Sequence, residues 1–166
     1  MKTEEFTMGY TVIAAGKMKE KFYLSACEEY LKRLNLYGGC RILEIPEFRL
    51  QAEPSPGEIL QGLQREAEEI SGKIPKGAYL IICTPEGKEL SSPELAKKIA
   101  DVKEKGKSEI CFLIGSSNGL DRSLKERADL KLSMGPMTFP HHLFRVMLLE
   151  QIYRAENILS GGRYHK

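Results

Sequence analysis

The chain has no tryptophan, only three histidines, and a formal net charge of +2 over 166 residues. That near-balance excludes a surface that is basic throughout, so any contact with RNA must be a local patch. No apolar run reaches the length of a membrane-crossing helix. The opening MKTEEFTMGY is acidic where a signal peptide has an apolar core. A cytoplasmic protein with no membrane partner is expected. The four cysteines, Cys27, Cys40, Cys83 and Cys111, stand far apart, without the close pairs of a metal site. Cys83 and Cys111 lie inside apolar runs, where a free thiol behaves as a small core residue. Neither a GxGxxG fingerprint nor a GxxxxGK[ST] loop is present, so NAD and ATP lose ground as ligands.

What is present is alternation. Residues 1–8 read as a leader and 9–166 as one domain, long enough for a substantial core. Tyr10–Ala15 and Arg41–Ile45 read as strands. Between them, apolar residues at 22, 26, 30 and 34 mark one face of a helix that Gly38-Gly39 stops. Pro54 and Pro56 place QAEPSPGE in a loop, and a second helix follows from Glu58 with apolar residues at 59, 63, 67 and 70. Ala78–Cys83 and Glu109–Ile114 are apolar without alternation, as in strands covered on both faces. TPEGKEL, after Cys83, reads as a turn. SSPEL is a helix start, with Ser91 as cap, Pro93 in the first turn and Glu94 in capping-box position; Gly106 ends that helix. A short helix LDRSLKERA, a strand Asp129–Met134 and a long helix from Pro140 to about Ser160 complete the chain. The pattern predicts a single α/β domain with a mainly parallel sheet flanked by helices.

In such sheets, ligands bind beyond the carboxyl ends of strands. That picks out TPEG, GSSNG (115–119) and MGPMT (134–138). GSSNG is either a backbone cradle or a tight Asn-Gly turn. MGPMT is a stiff bend whose main-chain groups can read an adenine edge, or a simple connector. His141 and His142 open the last helix about 100° apart, which makes a shared metal ion an unfavoured reading. His141 and Arg145 share a helix face. Phe144, Leu148, Ile152, Ala155 and Leu159 form an apolar stripe, with Leu143, Met147 and Leu149 off it. That excess predicts burial on more than one side, one of them a two-fold subunit interface. Arg154 is placed to pair with Glu150. The tail GGRYHK is either a set of groups for holding RNA or a frayed terminus.

The runs IAAGKMKEKFY, LSSPELA, FLIGSSNGL, MTFPHHLFRVMLLEQIYRAENI and YHK occur in order from about Tyr10 to Lys166. Together they resemble the RlmH family, small SPOUT-class methyltransferases of 23S ribosomal RNA. The resemblance implies S-adenosylmethionine-dependent methylation of N3 of pseudouridine 1915 in the large subunit. It implies a homodimer and a C-terminal trefoil knot, which general topology rules count against. Carried over by position, the cofactor pocket falls on Cys83, Gly115, Met134, Gly135, Pro136, Met137, Thr138 and Phe139. The RNA side falls on His141, Arg154, Tyr164 and His165, with the tail supplied by the partner subunit. His165 is the first candidate for proton acceptor and solvent the alternative; the sulfonium donor is already activated, so no metal is called for. The chain departs from the family pattern at Ser116 (usually glycine), at Thr84 (usually acidic) and in the tail, where Ser160 to Arg163 precede Tyr164. Those departures leave a rival, a non-catalytic ribosome-binding or assembly protein. A small-molecule methyltransferase fits less well, because the tail matches the RNA-binding pattern.

Overall fold

The computed structural model describes residues 7–166, so most of the expected leader lies outside the described residues; within it Thr7 is exposed and Met8 buried. Five strands, β1 (Gly9–Ala15), β2 (Cys40–Ile45), β3 (Tyr79–Glu89), β4 (Glu109–Ile114) and β5 (Leu130–Ser133), form one sheet in the order β2-β1-β4-β3-β5. Every pairing is parallel. The helices are α1 (Lys21–Leu34), α2 (Pro56–Lys73), α3 (Ser92–Glu104), α4 (Arg122–Arg127) and α5 (His141–Leu159). Strand side chains alternate between two cores. Tyr10, Val12, Phe112 and Ile114 face α1, α3 and α5, while Ile13, Ala15, Leu113 and Ile82 face α2 and α4. Both faces are therefore dry, which is why these strands read as unbroken apolar runs.

The last helix packs against both α1 and α3. Leu148, Leu149, Ile152 and Ala155 are buried by the sheet and these two neighbours. Leu143, Val146 and Met147 stay only half-buried within one chain. The expected stripe shifts at its end, because Leu159 lies past the neighbours and is 42% exposed. In α1 the expected face also shifts: Cys27 and Leu34 are buried, but Phe22 is 67% exposed and lies against the ring of Tyr23 instead.

Two further sequence expectations change. TPEGKEL is not a turn: β3 continues through it, and Cys83 and Lys88 both stand opposite Leu132 of β5. The intervening residues bulge out of the ladder, an irregularity rare between parallel strands. Gly87 makes this approach feasible, since a Cβ there would lie 2.7 Å from the Lys131 and Leu132 backbone. Pro56 does not exclude helix; it is the first residue of α2, where its missing N–H costs nothing. Ser55 caps that helix through a reciprocal box with Glu58, and Ser91 does the same for α3 with Glu94, as its sequence predicts.

Two polar ties cross this interior. The Tyr10 hydroxyl donates to the Glu156 carboxylate, joining β1 to α5. Burial, then the neighbouring Glu156 charge, pushes the Tyr10 phenol far above its ordinary value. Arg145, only 3% exposed, donates to Glu44 Oε2 at 2.8 Å and to the Gly16 carbonyl at 3.2 Å. Glu44 Oε2 also accepts the Met18 N–H at 2.8 Å, so this pair fixes the loop after β1. Burial alone would raise the Glu44 carboxyl; the hydrogen bonds from Arg145 and Met18 outweigh it and hold the carboxyl below its usual range.

Losing Ser55 or Ser91 to alanine is expected to cost about 1 kcal/mol each in urea denaturation. Glu44→Ala leaves the Arg145 guanidinium buried without its counter-charge and is expected to cost about 3–5 kcal/mol. Arg145→Met costs less, because it strands only a half-exposed carboxylate. The Glu44 carboxyl is depressed on folding, so its contribution is present above the ordinary carboxylate range and fades as pH falls through the folded value. The gap between wild type and Glu44→Ala, followed by urea midpoints, should therefore close in acid.

Candidate active site

The bulge of β3 and the carboxyl ends of β4 and β5 lie side by side, and a cavity of about 420 Å³ opens over them. That volume falls within the range of small-molecule sites. All eight positions assigned to the cofactor line it: Cys83 from β3, Gly115 after β4, and Met134 to Phe139 after β5. His141 and Phe144 add the first turn of α5. The β3–β5 register sets Cys83 beside Leu132, which brings the first and third of these segments together.

GSSNG follows β4 directly. The segment is a tight turn, with the Gly119 N–H donating to the Ser116 carbonyl at 2.8 Å, and it is also a wall of the cavity. A Cβ on Gly115 would lie 2.3 Å from the Gly119 carbonyl, so that position requires glycine. Gly135 turns the third loop at a φ of +107°, and its N–H donates to Ser133 Oγ at 3.1 Å. Met137 is 74% exposed. Burial pushes the Cys83 thiol up to about 12, so it is a neutral wall group.

Ser116 and Thr84 have defined partners. The Ser116 hydroxyl donates to Glu66 Oε1 of α2 at 3.0 Å, and Glu66 Oε2 accepts the Phe48 N–H at 3.1 Å. Burial raises the Glu66 carboxyl, opposed by those two hydrogen bonds. The neighbouring Ser117 hydroxyl meets Glu47 at 3.2 Å. The loop after β2 is thereby tied to the GSSNG turn. The Thr84 hydroxyl, almost fully buried, donates to Glu86, whose other oxygen meets Lys125 Nζ of α4 at 2.6 Å. The Lys125 hydrogen bond, with that of Thr84 second, holds the Glu86 carboxyl down at about 2. Glu86 and Lys125 line the cavity, and sequence reasoning misses both. TPEG carries the marks of a turn and LDRSLKERA those of a plain surface helix, so neither residue stands out before the fold brings them together.

A second cavity, of about 530 Å³, shares Met134 and Gly135 with the first and extends along α5 to Glu150. Glu150 is the hub of the tail. Its Oε1 accepts from Arg154 Nε at 2.8 Å, from Arg154 Nη2, and from the Tyr164 hydroxyl at 3.1 Å. The Arg154 guanidinium lies 4.6 Å over the Tyr164 ring, and its Nη1 is 3.2 Å from His165 Nδ1. Asn157 holds the approach, its carbonyl accepting from Gly162 N–H and its side chain from Tyr164 N–H. The Tyr153 ring meets Tyr164 edge-on at 4.9 Å. The tail is therefore docked against α5 rather than frayed. Burial first, with the neighbouring Tyr30 and Glu150, pushes the Tyr164 phenol up to about 12, so it stays protonated.

Three of the four residues assigned to RNA, Arg154, Tyr164 and His165, thus form one cluster. His141 stands apart on the wall of the first cavity. His142 turns away from it to Glu20 at 2.8 Å, as expected for adjacent helical positions. Arg145, one turn after His141, is buried on Glu44. Among the described residues, no three His, Cys, Asp or Glu side chains form a group suited to a metal ion, and no helix is long and apolar enough to cross a membrane.

The same chain has relatives among known proteins. A family model described as "Predicted SPOUT methyltransferase" matches residues 8–165. The chain is 43% identical over 159 residues to ribosomal RNA large subunit methyltransferase H of Carboxydothermus hydrogenoformans, covering 96% of this chain and 100% of the relative. It is 40% identical over 159 residues to the Enterococcus faecalis protein of the same name, with the same coverage. Among solved structures, a "probable methylase family protein" from Haemophilus influenzae superposes with a TM-score of 0.52 at 12% identity, over 96% of this chain and 70% of that one. At that identity the superposition speaks for the fold alone. With a matching family model over nearly its whole length and full-length relatives above 40%, the chain belongs to the SPOUT methyltransferase family, in its ribosomal RNA large subunit methyltransferase H (RlmH) group.

Proposed function

We propose that this protein methylates 23S ribosomal RNA at N3 of pseudouridine 1915, using S-adenosylmethionine, and acts in the cytoplasm as a homodimer whose C-terminal end is knotted as a trefoil. The carrying observation is a cavity of cofactor size lined by all eight positions assigned to S-adenosylmethionine.

The first cavity fits the cofactor on its chemistry. Phe139, Phe144 and Leu132 offer apolar surface beside the main chain of 134–139, which suits a flat heteroaromatic base. Thr84, Glu86 and Lys125 offer polar and charged groups for the remainder. The departures at Ser116 and Thr84 do not close it, since both hydroxyls are engaged by glutamates. That weakens the case for a non-catalytic relative. Calorimetry is the direct check: absence of S-adenosylmethionine binding would restore that rival.

S-adenosylmethionine supplies a methyl group on a sulfonium that is already activated for transfer. The protein's part is alignment of the acceptor and management of its proton. The bulge of β3 and the loops after β4 and β5 provide the first, an effect worth on the order of 7–11 kcal/mol of barrier. For the second, N3 must lose its hydrogen as the N–CH3 bond forms. A guanidinium only donates, so the Arg154 contact leaves His165 Nδ1 accepting and places the neutral ring's proton on Nε2. In that tautomer His165 is a donor. It suits stabilisation of the deprotonated base better than removal of the proton, which favours solvent as acceptor. Tyr164 is held protonated, and a base stacking on its ring would take the place of the Arg154 guanidinium. In the dimer, the tail of one subunit would serve the cofactor cavity of the other.

Tritiated methyl transfer to ribosomes lacking the modification, with the product nucleoside identified, tests the reaction; a label on any other nucleoside contradicts the assignment. His165→Ala is expected to slow single-turnover transfer about 10- to 100-fold, the loss of one charge-assisted contact. The rise of rate with pH should be the same in wild type and variant; a slope that disappears in the variant would make the ring the proton acceptor. A chain ended at Gly161 and a Gly115→Ala chain should each be inactive, yet regain transfer when co-expressed. No recovery would mean that each tail serves its own cavity.

A further inference from the structure

The cavity over β3, β4 and β5 has two chemically different walls. The 134–139 loop and the start of α5 contribute Met134, Pro136, Phe139 and Phe144. The bulge of β3 and helix α4 contribute Thr84, Glu86 and Lys125. Among the described residues, Glu86 and Lys125 are the only carboxylate and the only ammonium that line it. They face each other at 2.6 Å. As a staple the pair has little value, because both side chains reach solvent, Lys125 at 30% and Glu86 at 52% exposure. As a recognition element it has the right form. One carboxylate and one ammonium in contact, on the wall of a small-molecule cavity, complement a zwitterion.

We propose that Glu86 and Lys125 form the subsite for the amino-acid end of the cofactor, Glu86 receiving its ammonium and Lys125 its carboxylate. The inference rests on the S-adenosylmethionine reading above. Binding exchanges one ion pair for two. The geometry permits the exchange because the two partners are held differently. Glu86 keeps a second hydrogen bond from the buried Thr84 hydroxyl, so its carboxylate stays in place when Lys125 turns away. Lys125 reaches the site from the short helix α4 on a four-carbon stem with several rotatable bonds. Thr84 is thereby a positioning residue that orients Glu86, at a place where the family pattern has an acidic side chain.

The test compares two ligands by calorimetry on the full-length protein. S-adenosylmethionine carries the amino-acid end, and 5′-methylthioadenosine lacks it. Wild type should bind the first more tightly than the second. Lys125→Met, which keeps the apolar stem, and Glu86→Gln should each weaken S-adenosylmethionine binding about 10- to 100-fold, the loss of one charge-assisted hydrogen bond. Both variants should leave 5′-methylthioadenosine affinity unchanged. Equal weakening of both ligands, or no weakening of either, overturns the subsite while leaving the cofactor reading intact. A wild type that binds neither ligand overturns both. Unchanged thermal denaturation of Lys125→Met confirms that the comparison reads binding and not folding.

Discussion

The pairing of β5 with β3 is the constraint on which the site depends. β5 has four residues, yet it pairs with β3 on both sides of a bulge, so that Cys83 and Lys88 share Leu132 as a partner. Three consequences follow from that one ladder. Cys83 is drawn to the floor of the cavity. Residues 84–87 are pushed out of the sheet, where Thr84 and Glu86 join its wall. And β5 ends at Ser133, whose hydroxyl receives the Gly135 N–H and starts the loop that closes the cavity. A side chain at Gly87 would separate the strands and disturb all three.

Helix α5 carries the result across the molecule. Its first turn contributes His141 and Phe144 to one cavity, its middle contributes Glu150 to the other, and its last turns seat the tail through Arg154 and Asn157. It is held against the sheet by apolar burial between α1 and α3, and pinned at both ends by polar ties, Arg145–Glu44 and Glu156–Tyr10. A helix placed this firmly fixes the spacing of the two cavities. That rigidity matters for a reaction whose acceleration comes from alignment.

Much of this is legible in the residues. Ile110 to Ile114 can only be a strand dry on both faces, and Ser91 with Glu94 can only cap a helix. The strand-end loops are legible as sites from topology alone. The site residues within them come from resemblance to a family, since nothing in periodicity distinguishes Met134 from any loop methionine. What stays hidden is set by partners distant in the chain. The strand through TPEGKE contains Pro85 and Gly87, and its identity comes from β5, some 45 residues later. Arg145 looks like a polar companion of His141 until Glu44, 101 positions away, is folded beside it. The tail is docked by Asn157 and Glu150, a fold-back that composition cannot show.

The near-neutral charge of the chain takes on meaning at this level. Arg154 is held by Glu150, Lys125 by Glu86 and Arg145 by Glu44. Each of these three cations thus has a resident carboxylate. An anionic group arriving at Arg154 or Lys125 must compete with a glutamate already in contact, so recognition there is partner exchange and not capture by free positive charge. Exchange discriminates more sharply than capture. A ligand that brings only negative charge displaces a glutamate and leaves it without a partner, whereas one that also brings a donor satisfies both sides. Arg163 and Lys166 are exposed cations in the tail, and on the proposed RNA reading they would supply local attraction. On the proposed reading, attraction would sit in exposed side chains of the tail and selection in the paired charges Arg154–Glu150 and Lys125–Glu86.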